Sequence, residues 1–505
     1  MFRSSSRGII TKALVFVSCG ALAFGVGSPA NASIRDHDRQ DGGGQRVGAE
    51  VRVSEGLLKG EELGDLLSFR GVPYAAPPVG DLRFRPPAPA EGWSGVREAT
   101  EYEFDPAQPE NPGAPNPSED SLYLNIITPA EHTNEKLPVI VTFHGGGLEA
   151  QSSNAGVFNA PDLSSHGVVT ISVNARLGAL GFLALPELTA ESRQGASGNY
   201  GILDLIAALK WVKKNVAQFG GDPGNITLSG HSGGGSKVTT VLASPLAKGL
   251  ASQAATQSPA RLGAYDQTLD EGYQRGKALL DYLGITEGDV LAQLRALPWQ
   301  QIAAAQQATG FATGITIDGH LLKKSTRETY AAGEQSKVPI ILGAGSGETL
   351  EYDYISEAAE LMTGSGQTVY ADVFHWLPSN WRGLPGVRGV PHFFDVPFVY
   401  GDLETYPALG SVFSLVAPIF RDPSCPANSG PPTDPADPNS TAIITTDDQY
   451  FANRWQSVYA AFAATGDPDV TGVVDWPAFD PDNPQYAHVD DTITIQPWTK
   501  AAFIC

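Results

Sequence analysis

Two short stretches hold residue types whose spacing could do chemistry. LSGHSGGGSKV, residues 228–238, sets Ser232 in a Gly-x-Ser-x-Gly frame. The frame follows a strand-like run over 226–229 and leads into an Ala/Val/Leu segment with helical potential. Between strand and helix it forces the serine into a sharp turn that exposes the hydroxyl at the end of a sheet. Gly230 and Gly234 serve that turn, because a Cβ at either would collide with the crossing backbone. The hydroxyl is a weak nucleophile until a base takes its proton. His231 stands next to it, but side chains of successive residues on so tight a turn diverge, so the base has to come from elsewhere. The second stretch is Phe143-His144-Gly145-Gly146-Gly147, at the end of a β-branched run. Residues without side chains let main-chain N–H groups approach a developing oxyanion. Gly146, Gly147 and Gly233 are the three expected donors.

Both turns need a rigid sheet behind them. LPVIVTFHGGG (137–147), GVVTISVNAR (167–176) and KVPIILGAG (337–345) are β-branched runs that end in turn residues. Between them, ILDLIAALKWVKKNVAQFG spaces Leu205, Leu209, Val212, Val216 and Phe219 along one helix face. Near-continuous apolar strands alternating with amphipathic helices predict a mostly parallel central sheet flanked by helices, the α/β class. Residues 260–310, rich in Ala, Gln and Leu, predict a helical cap insertion, and 422–440 (DPSCPANSGPPTDPADPNS) a Pro-rich loop. Residues 51–505 read as a single domain, preceded by a polar, Gly-rich and flexible lead over 33–50.

Of the 505 residues, 42% are hydrophobic, enough for a large core. With 55 Asp+Glu against 33 Lys+Arg the formal net charge is -22, a field that repels phosphate backbones and excludes a nucleic-acid partner. Residues 1–32 have the pattern of an export signal: Arg3, Arg7 and Lys12, an apolar stretch over 13–27, and Ala30-Asn31-Ala32 before the cut. A lipoprotein-type cut before Cys19 fits less well, because Phe16 stands three positions upstream. The apolar stretch is short for a bilayer and no later segment approaches a span, so the expectation is a secreted protein, extracellular or periplasmic, with no stable membrane span. After cleavage Cys425 and Cys505 remain, an even pair in an oxidising setting, and one disulfide between them is expected.

Seven blocks in order resemble the type-B carboxylesterases, the cholinesterase-like branch of the α/β-hydrolases. They are SFRGVPYAAPPVGDLRFRPP (68–87), SEDSLYLNI (118–126), VTFHGGG (141–147), NARLGALGFL (174–183), GNYGILD (198–204), FGGDPGNITLSGHSGGG (219–235) and SPLAKGL (244–250). The resemblance implies the α/β-hydrolase fold with helical cap insertions. It also implies a Ser-acid-His triad in that chain order, acting on small-molecule or lipid-like carboxylic esters with no metal and no organic cofactor. Ser232 falls on the nucleophile of that pattern. Glu348, in ILGAGSGETLEY, falls on the acid, with Glu351 and Asp353 as nearby alternatives. The order leaves His375, His392 and His488 for the base. His392, in GVPHFFDVPFVYG, stands at the family's histidine, whereas His375, in VYADVFHWLP, suits a strand face. Ser258, in ATQSPAR, matches a second family serine beside the acid.

Three departures stand out. His231 replaces the family's usual glutamate before the nucleophile, which removes a carboxylate beside the catalytic imidazole and so lowers the expected pKa of His392. Ser121 replaces a cysteine that the family pairs upstream. No tryptophan lies between Trp93 and SEDSLYLN, where choline-binding relatives carry a stacking aromatic, and this disfavours a choline ester. The competing readings are a non-catalytic binding or adhesion domain on the same fold, and an acyltransferase that uses the same triad.

Overall fold

The strand-like runs hydrogen-bond into one sheet of eleven strands, seen in a computed structural model that describes residues 44–504 apart from 112, 160, 260, 406–422, 424–428 and 435. In chain order the strands are β1 (Glu61–Leu63), β2 (Leu66–Pro73), β3 (Tyr123–Thr128), β4 (Leu137–Phe143), β5 (Val169–Val173), β6 (Gly221–His231), β7 (Gln253–Gln257), β8 (Ile340–Gly345), β9 (Val369–Phe374), β10 (Gln485–Val489) and β11 (Ile493–Pro497). Across the sheet they run β1-β2-β3-β5-β4-β6-β7-β8-β9-β10-β11. From β5 to β10 every pair is parallel, and the outer strands add antiparallel edges. The export signal, part of the Pro-rich loop, and both Cys425 and Cys505 with their expected disulfide lie outside the described residues.

The central strands are apolar on both faces because both faces are covered. Val139 and Val141 of β4 enter one core and Ile140 the other. Likewise Ile340 and Leu342 of β8 face one way and Ile341 the other. The first face is packed by α1 (Tyr200–Asn215) through Leu205, Leu209 and Val212, and by α2 (Gly233–Ala243) through Val238, Val241 and Leu242. The chain then leaves the sheet for α3 (Leu269–Leu283), α4 (Val290–Ala296) and α5 (Trp299–Thr309). It returns to the first face with α6 (Glu351–Gly364), while α7 (Val396–Tyr400) and α8 (Thr446–Thr465) cover the second.

Local signals place the inserted helices. Thr268 and Glu271 form a reciprocal capping box at the start of α3, Gly284 ends it in the left-handed conformation, and Asp289 caps α4. The three helices share a small core, Leu279, Leu294 and Ile302 packing on Leu180, Leu183 and Phe84. Arg83 ties them down: paired with Glu119, it also donates to the carbonyls of Leu294 and Leu297 at 3.1 and 2.7 Å.

One expectation needs correction. Of the flexible lead over 33–50, the described residues do not hang free: Val47 donates to the Glu131 carbonyl and Thr133 to that of Gln45, both at 2.8 Å, and Val47 is buried. Glycine-rich composition predicts mobility, but pairing with a distant segment overrides it.

The strand order fixes where a site can form. β4 has β5 on one side and β6 on the other, so the chain leaves their carboxyl ends in opposite directions and opens a crevice there. His144 to Gly147 follow β4 at that end, and Ser232 follows β6.

Candidate active site

Ser232 links β6 to α2 with φ 58° and ψ −124°, a positive-φ conformation outside the left-handed helical region that non-glycine residues rarely adopt. The surroundings hold it there. Its N–H donates to the Gln257 carbonyl at 2.8 Å, and its carbonyl accepts from the Ser236 N–H at 3.1 Å. The glycines of the frame are steric necessities: a Cβ on Gly230 would overlap the main chain of Gly234, and one on Gly234 would overlap the Phe143 carbonyl oxygen. The end of β4, the end of β6 and the first turn of α2 thus meet with no room for side chains.

His392 and Glu348 complete a chain of hydrogen bonds to this serine. His392 Nε2 lies 2.8 Å from Ser232 Oγ, and His392 Nδ1 lies 2.6 Å from Glu348 Oε1. Glu348 stands in the turn after β8, where its Oε2 accepts from Ser258 Oγ at 2.6 Å and from the Gly345 N–H at 2.9 Å. The histidine loop is laced to that turn: Gly347 donates to the Val390 carbonyl at 2.8 Å, and the Val390 N–H to Ser346 Oγ at 3.0 Å. Glu351 and Asp353 belong to α6, and Asp353 is exposed, 3.6 Å from Lys500. His375 follows β9 and stacks on His488 at 3.9 Å.

Burial sets the protonation of the pair. It pushes the His392 imidazole down to about 3, so the ring is neutral at rest and Nε2 can take a proton. Burial also pushes the Glu348 carboxyl up, and the donors Ser258 and Gly345 pull it back. Arranged this way, a hydroxyl, a neutral imidazole and a fixed carboxyl can pass a proton from Oγ to Nε2.

Beside the serine, Gly146 and Gly147 take φ 76° and 64°. Their loop presses on α2 so closely that a Cβ on Gly233 would overlap the Gly147 main chain. Gly233 is the first residue of α2, where N–H groups lack intrahelical partners and the helix dipole favours negative charge. The loop that carries Gly146 and Gly147 and the start of α2 at Gly233 therefore lie against each other.

His231 turns away from Ser232. Its ring lies 4.5 Å from that of His392 and edge-on to Phe393 at 5.6 Å, and its Nε2 is 3.8 Å from Asp395 Oδ1. Both groups are buried. Burial pushes the imidazole well down and the Asp395 carboxyl up to about 8, so each is held neutral. A carboxylate in place of His231 would favour the imidazolium of His392 and raise its pKa. His231→Glu is expected to move the acidic limb of the kcat/KM profile to higher pH by roughly one unit or more; coincident profiles for the two proteins would sink the idea.

Sequence reasoning missed a polar row beneath the site. His231, Gln257, Gly343 and Asp372 stand in register on β6, β7, β8 and β9. Gln257 Nε2 bonds Asp372 Oδ1 at 3.1 Å and Tyr459 Oη of α8 at 2.6 Å. A Cβ on Gly343 would overlap both polar side chains, so an alanine there would force them to shift. The visible signal was an aspartate inside the apolar run VYADVF.

Comparisons with known proteins identify the family of the chain. Residues 48–356 match the family described as Carboxylesterase family. The chain is 31% identical over 482 residues to the fumonisin B1 esterase of Sphingopyxis macrogoltabida, covering 85% of this chain and 84% of that one. It is 29% identical over 510 residues to the para-nitrobenzyl esterase of Bacillus subtilis (strain 168), covering 88% and 96%. The crystal structure of carboxylesterase EST55 from Geobacillus stearothermophilus superposes with a TM-score of 0.72 at 27% identity, over 89% of this chain and 98% of that one. With its α/β-hydrolase sheet and this serine-centred crevice, the chain belongs to the carboxylesterase family and is a carboxylic ester hydrolase.

Proposed function

We propose that the protein is an exported serine esterase that hydrolyses small-molecule or lipid-like carboxylic esters through Ser232, His392 and Glu348, by way of an acyl-enzyme. His392 Nε2 takes the Ser232 proton as Oγ attacks the ester carbonyl. Glu348 orients the ring and stabilises the imidazolium. The N–H groups of Gly146, Gly147 and Gly233 receive the oxyanion, each worth roughly 3 kcal/mol of barrier. The imidazolium then protonates the leaving alcohol, and a water molecule, deprotonated by the same ring, releases the acid. The observation that carries this reading is the unbroken chain from Ser232 Oγ through His392 to Glu348, at 2.8 and 2.6 Å. It also weighs against a non-catalytic binding domain, which has no need of a strained serine bonded to a buried base.

The test pairs hydrolysis of p-nitrophenyl esters of increasing acyl length with labelling by a fluorophosphonate. Turnover and a single adduct on the peptide holding Ser232 are expected; an inactive, unlabelled protein would return the reading to a binding domain. Export predicts a mature chain beginning at Ser33, and it also supports the Cys425–Cys505 disulfide.

A further inference from the structure

Lys237 is an anomaly that the proposed chemistry does not use. It lies in α2, five residues after the nucleophile, and is 2% exposed. Burial pushes its amine down to about 7, and among the described residues no carboxylate compensates. It also stands near the helix end where the macrodipole disfavours a cation. Methionine, of similar length, would fill the same space without either penalty. Its hydrogen-bond partner is the His144 carbonyl, at 3.0 Å.

That carbonyl begins the turn that carries the oxyanion donors. The next carbonyl, Gly145 O, lies 3.0 Å from His144 Nδ1, which donates to it in the tautomer protonated on Nδ1. In a trans peptide C=O and N–H point in opposite directions. Lys237, by fixing the His144 carbonyl, therefore fixes the direction of the Gly145 N–H at the start of the turn, and the His144 ring, by bonding the Gly145 carbonyl, fixes that of the Gly146 N–H. Gly145, Gly146 and Gly147 have no side chains of their own to anchor the turn.

We propose that Lys237 is a positioning residue for the oxyanion loop, holding the His144 carbonyl so that the Gly146 and Gly147 N–H groups stay aimed at the point where the oxyanion forms beside Ser232. The inference rests on the serine-esterase reading. Losing one oxyanion donor outright lowers kcat by about 100- to 1,000-fold, and a loosened pair falls short of that.

Lys237→Met is the test, with circular dichroism melts, steady-state kinetics on p-nitrophenyl butyrate, and inhibition by phenylboronic acid, whose serine adduct is a tetrahedral anion. The expected result is kcat lower by about 10- to 100-fold, KM within about threefold, boronate inhibition weaker by the factor lost from kcat, and a melting temperature equal to or above that of the wild type. A purely structural lysine would show activity and melting temperature falling together; that outcome, or a kcat within twofold of wild type, overturns the proposal. If the methionine variant does not fold, Lys237→Leu, which likewise lacks a donor, is read by the same criteria. Failure of the esterase reading is distinct, since the wild type itself would then neither turn over ester nor take the fluorophosphonate label.

Discussion

Ser232→Ala is expected to lower kcat by about 10,000- to 1,000,000-fold and to leave KM and the melting temperature close to their wild-type values. The change deletes one oxygen from a part-exposed position, so it opens no cavity. It also removes the atom that bonds His392 Nε2 at 2.8 Å. Without Oγ no acyl-enzyme forms, and what persists is the weak catalysis that oxyanion donors and substrate binding give to direct attack by water. Burst-phase p-nitrophenol release and fluorophosphonate labelling should both vanish. Turnover within a hundredfold of wild type would assign the nucleophile elsewhere.

Gly234→Ala is the second large effect, and it acts through packing. A Cβ there has to displace the Phe143 carbonyl oxygen and approaches the His144 carbonyl oxygen at 3.0 Å. Backbone cannot swing aside as a flexible side chain can, so β4 and α2 must separate. A destabilisation of about 3 kcal/mol is expected. Activity should fall by about 100-fold even at temperatures where the variant is folded, because the strand that moves carries the oxyanion loop. A variant with wild-type melting temperature and wild-type kcat would show that the frame tolerates a methyl group.

These two residues were legible in the sequence for the same reason: a strand-to-helix turn and its glycines are local, and local chemistry is written contiguously. Glu348 and His392 were not legible that way. Resemblance pointed to them, but their meeting depends on Ser346 and Gly347 bonding Val390, a contact between loops 44 residues apart. No periodicity announces it. The buried Lys237 escaped notice because a lysine on a helix is ordinarily a surface residue; α2 sits at the middle of the sheet and is buried on every side. The approach of Asp395 to His231 was not legible, because it needs α7 to fold across the second face of the sheet. The α/β pattern itself was plain, since parallel strands covered on both faces must be apolar throughout.

The polar row beneath the site bears on how the whole protein responds to acid and base. Asp372 and Asp395 are held protonated by burial, Asp395 up to about 8, while His231 is held neutral by the same cause. A carboxyl raised in the folded state gives stability that is complete below its unfolded value near 4 and is lost as pH rises toward 8. A lowered imidazole works from the other side, losing stability as pH falls below about 6.5. Between about 4 and 6.5 the two raised carboxyls outweigh the one lowered imidazole, so stability keeps rising as pH falls and is greatest near 4. The melting temperature should peak there and decline on both flanks; a flat profile from pH 5 to 9 would show that these groups ionise in place. The groups packed behind the serine would then set the pH range over which there is an enzyme to assay.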